Sequence, residues 1–313
     1  MLRLNGTVRN GRPESRTRVL DVGVGVVEDL RSPLSSTEKS TERFCNDFQI
    51  CLPYAGFFVW HVGNDEVVGD PNQIVFVRGG EAFRMSSPCE FGYAELIVTP
   101  AIDILSEIAH ENGRSLFKHP LFRRRRALAT PAMQAARARF HHWISAAGPR
   151  QCLEAEEALV ALIRAALQIS ARPLKNPTAR TARVIRRAKE VVHDRLTDPL
   201  RLADISRDVG ASPAYLTDLF TRTEGIPLHQ YVTRLRLARA LMELPRTDDL
   251  TSLALDLGFS SHSHFTFAFR REFGRTPSEF RERARCQVRL DETRLRRVST
   301  RIHTTPDRSV TAP

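Results

Sequence analysis

The sequence predicts an α+β protein of two domains: an N-terminal antiparallel β barrel with a helical hairpin, then an all-α C-terminal domain of two helix-turn-helix subdomains. Short β-rich runs separated by turn residues fill residues 18–99, and helical periodicity follows them. Near the end of the chain one helix-turn-helix pattern occurs twice, at 202–227 and 251–277. At 313 residues the chain has room for two domains of ordinary size.

Five β-rich runs make up the first part of the chain, each bounded by Gly, Pro, Asn or Asp. In order they are VLDVGVGVV, FQICL, GFFVWHV, QIVFVRGG and YAELIVT. Their length and spacing are typical of a small antiparallel barrel or jelly roll. Between about residues 102 and 170 the pattern turns helical, with an apolar stripe that packing against the barrel would explain. The stripe contains Ala155, Leu159, Leu162, Ile163, Ala166 and Ile169.

The two helix-turn-helix copies match position by position once single insertions are allowed. Ala203 aligns with Thr251, Ile205 with Leu253, Val209 with Leu257, Gly210 with Gly258, Leu216 with Phe265, Phe220 with Phe269, Gly225 with Gly274 and Pro227 with Pro277. Gly210 and Gly258 follow the first helix of each copy, where the turn favours a positive φ that glycine tolerates. Ser212 and Pro213 predict the N-cap and the first residue of the next helix, the recognition helix.

Helical spacing separates the inward and outward faces of each recognition helix. The inward positions are Leu216, Leu219 and Phe220 in the first copy and Phe265, Phe269 and Phe273 in the second. The outward positions are Ala214, Thr217, Asp218 and Arg222, and then His262, Ser263, His264, Phe267, Arg270 and Arg271. For one such pattern alone, a solvated face of a helical bundle explains the outward residues as well as DNA binding does. Two copies in register favour DNA binding.

A helix predicted over residues 228–244 joins the two copies. It carries Tyr231, Leu235, Ala238 and Leu241 or Met242 on one side, interleaved with Arg234, Arg236 and Arg239. At about 1.5 Å per residue this helix spans roughly 25 Å. That length suits two recognition helices that enter successive major grooves on one side of the duplex. We therefore expect a single asymmetric DNA site for each subunit.

These residues carry a resemblance to a known family. Residues 183–285 resemble the DNA-binding domain of the AraC/XylS family of bacterial transcription regulators, most closely in GFSSHSHFTFAFRREFGRTPSEFR at 258–281. The resemblance implies seven helices, arranged as two helix-turn-helix subdomains joined by a long helix. It also implies a sequence-specific transcription regulator that binds double-stranded promoter DNA and contacts RNA polymerase.

The resemblance assigns base-contacting positions in both recognition helices. They correspond to Ala214, Thr217 and Asp218 in the first helix and to His262, Ser263, His264 and Phe267 in the second. Arginine is common in the family where Asp218 and Phe267 stand. Neither residue can donate two hydrogen bonds to guanine, but Asp218 can accept from a cytosine amine and Phe267 can pack on a thymine methyl. These departures change which bases are read.

Phosphate contacts are assigned to Arg222, Arg270 and Arg271 with the helix N-termini, because such contacts position a protein on DNA without reading its sequence. The formal net charge is +11, and residues 176–313 hold 25 basic and 17 acidic side chains, a balance of +8. A basic surface raises nonspecific affinity for DNA and makes it salt dependent. The RRRR run at 123–126 is expected to be a solvated loop or helix start, with DNA contact as the alternative.

Proline-rich and polar stretches predict the domain boundaries. The predicted segments are a flexible N-terminus at 1–16, a domain at 17–170 with helices at 102–170, a linker at 171–181, a helix-turn-helix DNA-binding domain at 182–286 and a disordered basic tail at 287–313. The resemblance implies that the domain at 17–170 binds an effector and dimerises. No apolar stretch is long enough to span a membrane, and the chain does not begin with an apolar signal core. We therefore expect a cytoplasmic protein with no membrane partner.

In this family the N-terminal domain is commonly a cupin-like barrel that binds a small molecule, and its helices often dimerise. The resemblance therefore implies a cupin-like domain, a small-molecule effector and a homodimer. The candidate effector contacts are Trp60, His61, Phe76 and Arg84. Strand alternation puts Trp60 and His61 on opposite faces, and the sequence does not say which face lines a cavity. The residues do not identify the effector, and both activation and repression of transcription stay open.

Two other classes of protein are the alternatives: a metal-dependent cupin enzyme tethered to DNA, and a helical adaptor that binds protein. Such an enzyme needs three or more clustered metal ligands, whereas the strand region holds a single histidine, His61. We therefore expect no catalytic residue, no metal and no cofactor. The five cysteines show no CxxC spacing. Cys45, Cys51 and Cys89 are expected to be buried thiols, with a redox or thiolate site as the alternative.

Overall fold

A computed structural model describes residues 14–286, apart from 34, 90–91, 112–124, 146–151 and 171–177. The predicted tail at 287–313, most of the predicted N-terminal segment and linker, and Arg123 and Arg124 of the arginine run lie outside the described residues. None of the described helices is both long and apolar enough to cross a membrane.

The described N-terminal strands form two antiparallel sheets. The strands are β1 (Ser15–Val22), β2 (Gly25–Ser32), β3 (Arg43–Cys45), β4 (Gln49–Gly56), β5 (Phe58–Val62), β6 (Asp65–Gly69), β7 (Gln73–Val77), β8 (Glu81–Ser86), β9 (Tyr93–Pro100) and β10 (Arg126–Leu128). A six-stranded sheet has the order β1-β2-β9-β4-β7-β10, and a four-stranded sheet has the order β3-β8-β5-β6. An apolar layer with residues from both sheets, including Leu30, Trp60 and Val75, lies between them.

The expected antiparallel β domain is confirmed, but its described strands form two sheets and not one closed barrel. The chain crosses between the sheets after β6: β6 pairs with β5, whereas β7 pairs with β4 and β10. Alternation of apolar residues fixes which side chains of a strand share a face, but it does not say which strands pair. The five predicted runs correspond to parts of β1 and β2 and to β4, β5, β7 and β9, whereas β3, β6, β8 and β10 and the division into two sheets were not predicted.

Three helices cover the outer face of the six-stranded sheet: α1 (Ile102–Glu111), α2 (Pro131–Ser145) and α3 (Cys152–Ser170). Leu96 and Val98 of β9 share one apolar core with Leu159 and Ile163 of α3. The apolar stripe predicted at 155–169 therefore packs against the sheet. Its apolar face is covered within the subunit.

Seven helices form the C-terminal part of the described chain, the number that the resemblance implies. They are α4 (Ala179–Asp194), α5 (Leu202–Asp208), α6 (Pro213–Glu224), α7 (Leu228–Glu243), α8 (Leu250–Asp256), α9 (His262–Phe273) and α10 at 277–286. The first subdomain is built on a core that includes Ile205, Phe220 and Tyr231. The second is built on a core that includes Leu253 and Phe265. The joining helix α7 ends one residue before the predicted end.

Candidate DNA-binding surface

Local signals place both ends of the first recognition helix, α6. Ser212 is its N-cap and accepts a hydrogen bond from the Tyr215 amide (3.3 Å), and Pro213 is the first helical residue. Gly225 ends the helix with a φ of 78°. Gly210, in the preceding turn, has a φ of 66°, which confirms the predicted positive φ.

The second recognition helix, α9, repeats this arrangement. Ser261 is its N-cap and accepts a hydrogen bond from the His264 amide (3.1 Å), and Gly274 ends the helix with a φ of 72°. Gly258 in the preceding turn has a φ of 81°, as predicted. The cap at Ser261 was not predicted. It occupies the position that aligns with Ser212, so the repeat itself carried the signal.

The inward faces of both helices are buried as predicted. Leu216, Phe220, Phe265 and Phe269 are completely shielded from solvent, and Leu219 is buried. Phe273, partly buried, packs at the edge of the second core. Burial of these side chains fixes the rotation of each helix about its axis, and so it decides which residues face outward.

All the side chains predicted to face DNA are exposed. They are Ala214, Thr217, Asp218 and Arg222 on α6, and His262, Ser263, His264, Phe267, Arg270 and Arg271 on α9. Phe267 is 65% exposed and therefore presents a large apolar surface to any partner. The His264 ring is held locally, because its Nδ1 lies 3.1 Å from the Ser260 hydroxyl oxygen.

Asp218 on α6 aligns with Phe267 on α9, and an arginine follows each of them four residues later, Arg222 and Arg271. On α6 the carboxylate of Asp218 forms an ion pair with Arg222. On α9 the guanidinium of Arg271 lies 5.7 Å from the centre of the Phe267 ring, a cation–π contact. The carboxylate neutralises the charge of Arg222, whereas the ring leaves the charge of Arg271 intact. The two helices therefore present different electrostatic fields to a phosphate. The i, i+4 spacing of both pairs in the sequence could have predicted this difference.

Comparisons with known proteins agree with this geometry. Residues 205–283 match a family of helix-turn-helix domains. The regulatory protein SoxS of Salmonella typhimurium is 34% identical over 101 residues, which are 32% of this chain and 94% of SoxS. The chain belongs to the AraC/XylS family. The matched residues form a helix-turn-helix domain of this family.

Two further proteins are similar over different lengths. The regulatory protein PocR of Salmonella typhimurium is 33% identical over 109 residues, which span 36% of its length. The crystal structure of an apo form of ToxT from Vibrio cholerae aligns with 82% of this chain and 96% of its own, at 13% identity and a TM-score of 0.35.

A buried polar turn connects the β domain of this AraC/XylS regulator to the first helix-turn-helix subdomain. The turn precedes β7. Asp70 Oδ2 accepts hydrogen bonds from Lys189 Nζ of α4 (3.2 Å) and from the Tyr231 hydroxyl of α7 (3.0 Å). Asn72 donates from its side chain to the backbone carbonyl of Tyr231 (3.0 Å). All four residues are buried.

Glu224, in the last turn of α6, is the second centre of this contact. Its Oε2 lies 2.8 Å from Lys189 Nζ and 2.9 Å from a terminal nitrogen of Arg126. The Gln73 side-chain amide donates to the same oxygen (2.9 Å). We call the following residues the interdomain network: Asp70, Asn72, Gln73, Arg126, Lys189, Glu224 and Tyr231. The network ties a recognition helix to the β domain by buried, charge-assisted hydrogen bonds.

Charges in and beside the interdomain network are set by its surroundings. Burial alone would raise the pKa of the Glu224 carboxyl, but Arg126 and Lys189 lower it to about 2. His193 Nε2 lies 3.4 Å from the Tyr231 hydroxyl, and burial lowers the pKa of His193 to about 4. At neutral pH Glu224 is therefore ionised and His193 is neutral.

The described half of the arginine run, Arg125 and Arg126, is not the solvated loop or helix start that was predicted. Arg126 lies on strand β10, and its half-buried side chain forms an ion pair with the buried Glu224. Arg125 forms ion pairs with Glu81 and Asp65. The reason is tertiary: β10 adds to the edge of β7 and faces carboxylates that lie far away in sequence.

The predicted effector residues do not surround one cavity. Trp60 packs against Phe83 between the two sheets (ring centres 4.6 Å apart), whereas Phe76 lies in the core beneath the helices. His61 Nε2 lies 2.9 Å from the Ser86 hydroxyl oxygen. Arg84 is exposed and lies 3.7 Å from Glu42. Trp60 and Phe76 therefore lie in different apolar layers of the domain, because side chains on opposite faces of a sheet point into different layers.

One buried carboxyl, Glu95 on β9, was not predicted. It points into the layer between the sheets, and its Oε2 is buried without a hydrogen-bond partner. Burial raises the pKa of Glu95 to about 8, against the opposing effects of Arg16 and of a hydrogen bond with Cys51. Burial also raises the pKa of the Cys51 thiol. A buried carboxyl thus lies among the apolar residues of the β domain, protonated at neutral pH.

Two of the three cysteines that were expected to be buried thiols are buried in the structure. Cys51 and Cys89 are buried and Cys45 is half-buried, and all three are free thiols. Burial raises the pKa of each of them, which disfavours a thiolate site. Across the described residues, no group of three or more His, Cys, Asp or Glu side chains is arranged to hold a metal ion.

Proposed function

We propose that this regulator reads one asymmetric promoter site with both recognition helices, using a DNA-binding domain at 182–286. The proposed base contacts are Ala214, Thr217, Asp218, His262, Ser263, His264 and Phe267. The observation that supports them is the fixed rotation of α6 and α9: buried side chains hold each helix so that these residues share its outer face. The proposed phosphate contacts are Arg222, Arg270 and Arg271.

The two recognition helices contribute unequally in this proposal. Arg222 is neutralised by Asp218, so α6 attracts phosphate weakly and discriminates mainly through Asp218 and its neighbours. Arg270 is exposed, and Arg271 keeps its charge beside Phe267. The second helix-turn-helix therefore supplies more of the affinity, and the first supplies more of the discrimination.

The β domain, at 17–170, is proposed to be a cupin-like effector-binding and dimerisation domain. Its two antiparallel sheets and the interdomain network support this role. A small molecule that favours one arrangement of the β domain can act on α6 through Asp70 and Glu224. Such control requires different affinities of the effector for two states of the protein. A homodimer and contact with RNA polymerase complete the proposal, and both come from the family resemblance.

Footprinting tests the proposed function. The full-length protein is incubated with DNA from upstream of its own gene and with random duplexes, each at two salt concentrations. We expect protection of two adjacent major-groove segments about one turn apart at one asymmetric site, and weaker, more salt-dependent binding to random DNA. Protection of a single groove segment, or equal affinity for all sequences, would contradict the proposal.

A further inference from the structure

The long helix α7 belongs to both helix-turn-helix cores, and the change occurs at a single residue. Leu235 is buried in the core of the first subdomain, and Leu237 is buried in the core of the second. Arg236 lies between them and is half-buried. Position 236 is therefore the point on α7 where the two subdomains meet.

Arg236 binds the backbone of both subdomains. Its Nε donates to the Leu196 carbonyl (2.8 Å), and one terminal nitrogen donates to the Asp198 carbonyl (2.8 Å), both between α4 and α5. The other terminal nitrogen donates to the Gly258 carbonyl (2.7 Å), in the turn of the second copy. Hydrogen bonds from a charged donor are stronger than neutral ones, and the planar guanidinium fixes the directions of all three.

The same joint leaves no room for a side chain at Gly258. A Cβ there would lie 2.6 Å from the Thr197 carbonyl oxygen and 2.9 Å from Cζ of Arg236. Gly210, the aligned glycine of the first copy, would have nothing within 4 Å of its Cβ. Both glycines have a positive φ, so they share a need for glycine in the turn. Only Gly258 also forms part of the contact between subdomains.

We infer that Arg236 is a positioning residue that sets the distance and rotation between the two recognition helices, and so determines the spacing of the DNA site. The inference rests on the proposed function, in which both helices read one site. One added base pair moves half of the site by about 3.4 Å and turns it by about 35°, so a rigid joint rejects it.

Two other arginines on α7 lie near the joint. Arg234, on the first-subdomain side of position 236, pairs with Glu272 of α9 and adds a second contact across the joint, whereas Arg239 pairs with Glu243 one turn along α7. The β domain gives additional support to the arrangement, because His142 of α2 lies 2.8 Å from the Leu241 carbonyl while the interdomain network holds the first subdomain. Loss of Arg236 should therefore relax the spacing preference without abolishing it.

The test uses the full-length protein and a DNA site that the wild type selects from random duplexes. Derivatives of the site carry one base pair fewer, or one or two more, between the two protected segments. We expect the wild type to lose about tenfold in affinity for each single-base-pair change, and Arg236→Gln to lose less than about threefold. Arg239→Gln is the matched control on the same helix and should keep the wild-type preference.

A glycine pair gives an independent comparison. Gly258→Ala and Gly210→Ala both place a Cβ at a positive φ, but only Gly258→Ala presses on Thr197. We expect Gly258→Ala to flatten or shift the spacing preference and Gly210→Ala to retain it. This comparison decides the matter if circular dichroism shows that Arg236→Gln does not fold.

The outcomes separate the two levels of the proposal. If the wild type protects only one groove segment, the proposed two-helix reading fails. If the wild type has a sharp spacing preference that Arg236→Gln and Gly258→Ala both retain, the role of Arg236 is wrong and the proposed function stands. A relaxed preference in both variants, with unchanged binding to random DNA, supports the inference.

Discussion

The ammonium nitrogen of Lys189 lies 2.8 Å from Oε2 of Glu224, and both side chains are at most 1% exposed. Lys189 belongs to α4, and Glu224 closes the first recognition helix. Arg126, from the β domain, reaches the same oxygen. Because this carboxylate has partners in both domains, any movement of α6 away from the β domain would leave buried charges without partners, which is costly in a low dielectric.

Glu224→Gln tests the energetic weight of this pair. The amide keeps the shape of the carboxylate but leaves the buried Lys189 and the half-buried Arg126 with one fewer counter-charge. We expect the free energy of unfolding, from urea titration, to fall by about 3–5 kcal/mol. Asp218→Asn is the control on the same helix, since it breaks an exposed pair worth about 0–1 kcal/mol. Equal losses in the two variants would show that burial is not what makes the Glu224 contact important.

Glu95→Gln tests the buried carboxyl between the sheets. The folded-state pKa of about 8 lies above the ordinary value of 4.5, so the folded protein holds a proton that the unfolded chain releases. The stability contributed by that proton is complete below pH 4.5 and is lost as the pH rises to about 8. Glutamine cannot ionise. Between pH 4.5 and about 8, we expect the unfolding free energy of the wild type to fall relative to that of Glu95→Gln by about 1.4 kcal/mol per pH unit. Parallel pH profiles would contradict the assignment.

Histidine substitutions on α9 separate base contacts from phosphate contacts. Replacing His262 and His264 with alanine should weaken binding to the selected site by about tenfold or more, with little change on random DNA. Arg270→Ala should weaken binding to both DNAs and reduce the slope of log affinity against log salt by about 1. Mobility shifts at several salt concentrations measure all three quantities. An equal loss on specific and random DNA for the histidine pair would remove the base-reading role.

Asp218→Asn should release Arg222 for phosphate contact. The substitution removes a negative charge from the outer face of α6 and ends the ion pair that neutralises the arginine. We expect tighter binding to random DNA, by about threefold, and a steeper salt dependence. Asp218→Asn in combination with Arg222→Gln is the control and should show neither effect. Unchanged nonspecific binding in the single variant would mean that Arg222 does not face phosphate.

The C-terminal half was predictable from sequence because its signals are local. Caps, turn glycines and apolar residues at helical spacing act within a few residues of each other, and the repeat supplied two independent copies of each signal. The inward faces of α6 and α9 are accordingly as predicted, and α7 begins at the predicted residue and ends one residue early. The family resemblance added the assignment of outer positions to bases and phosphates.

The remaining features depend on residues far apart in the chain. Asp70 meets Lys189 and Tyr231 across more than a hundred residues, and Arg126 meets Glu224 across nearly as many. Strand pairing likewise divided the expected barrel into two sheets and left Glu95 buried between them. Local hydrogen bonds and periodicity specify the two recognition helices and their outer faces, so both could be predicted from the amino-acid sequence. The contacts that hold those helices, at Arg236 and in the interdomain network, emerge only in the folded protein, because packing and not proximity in the chain selects buried partners.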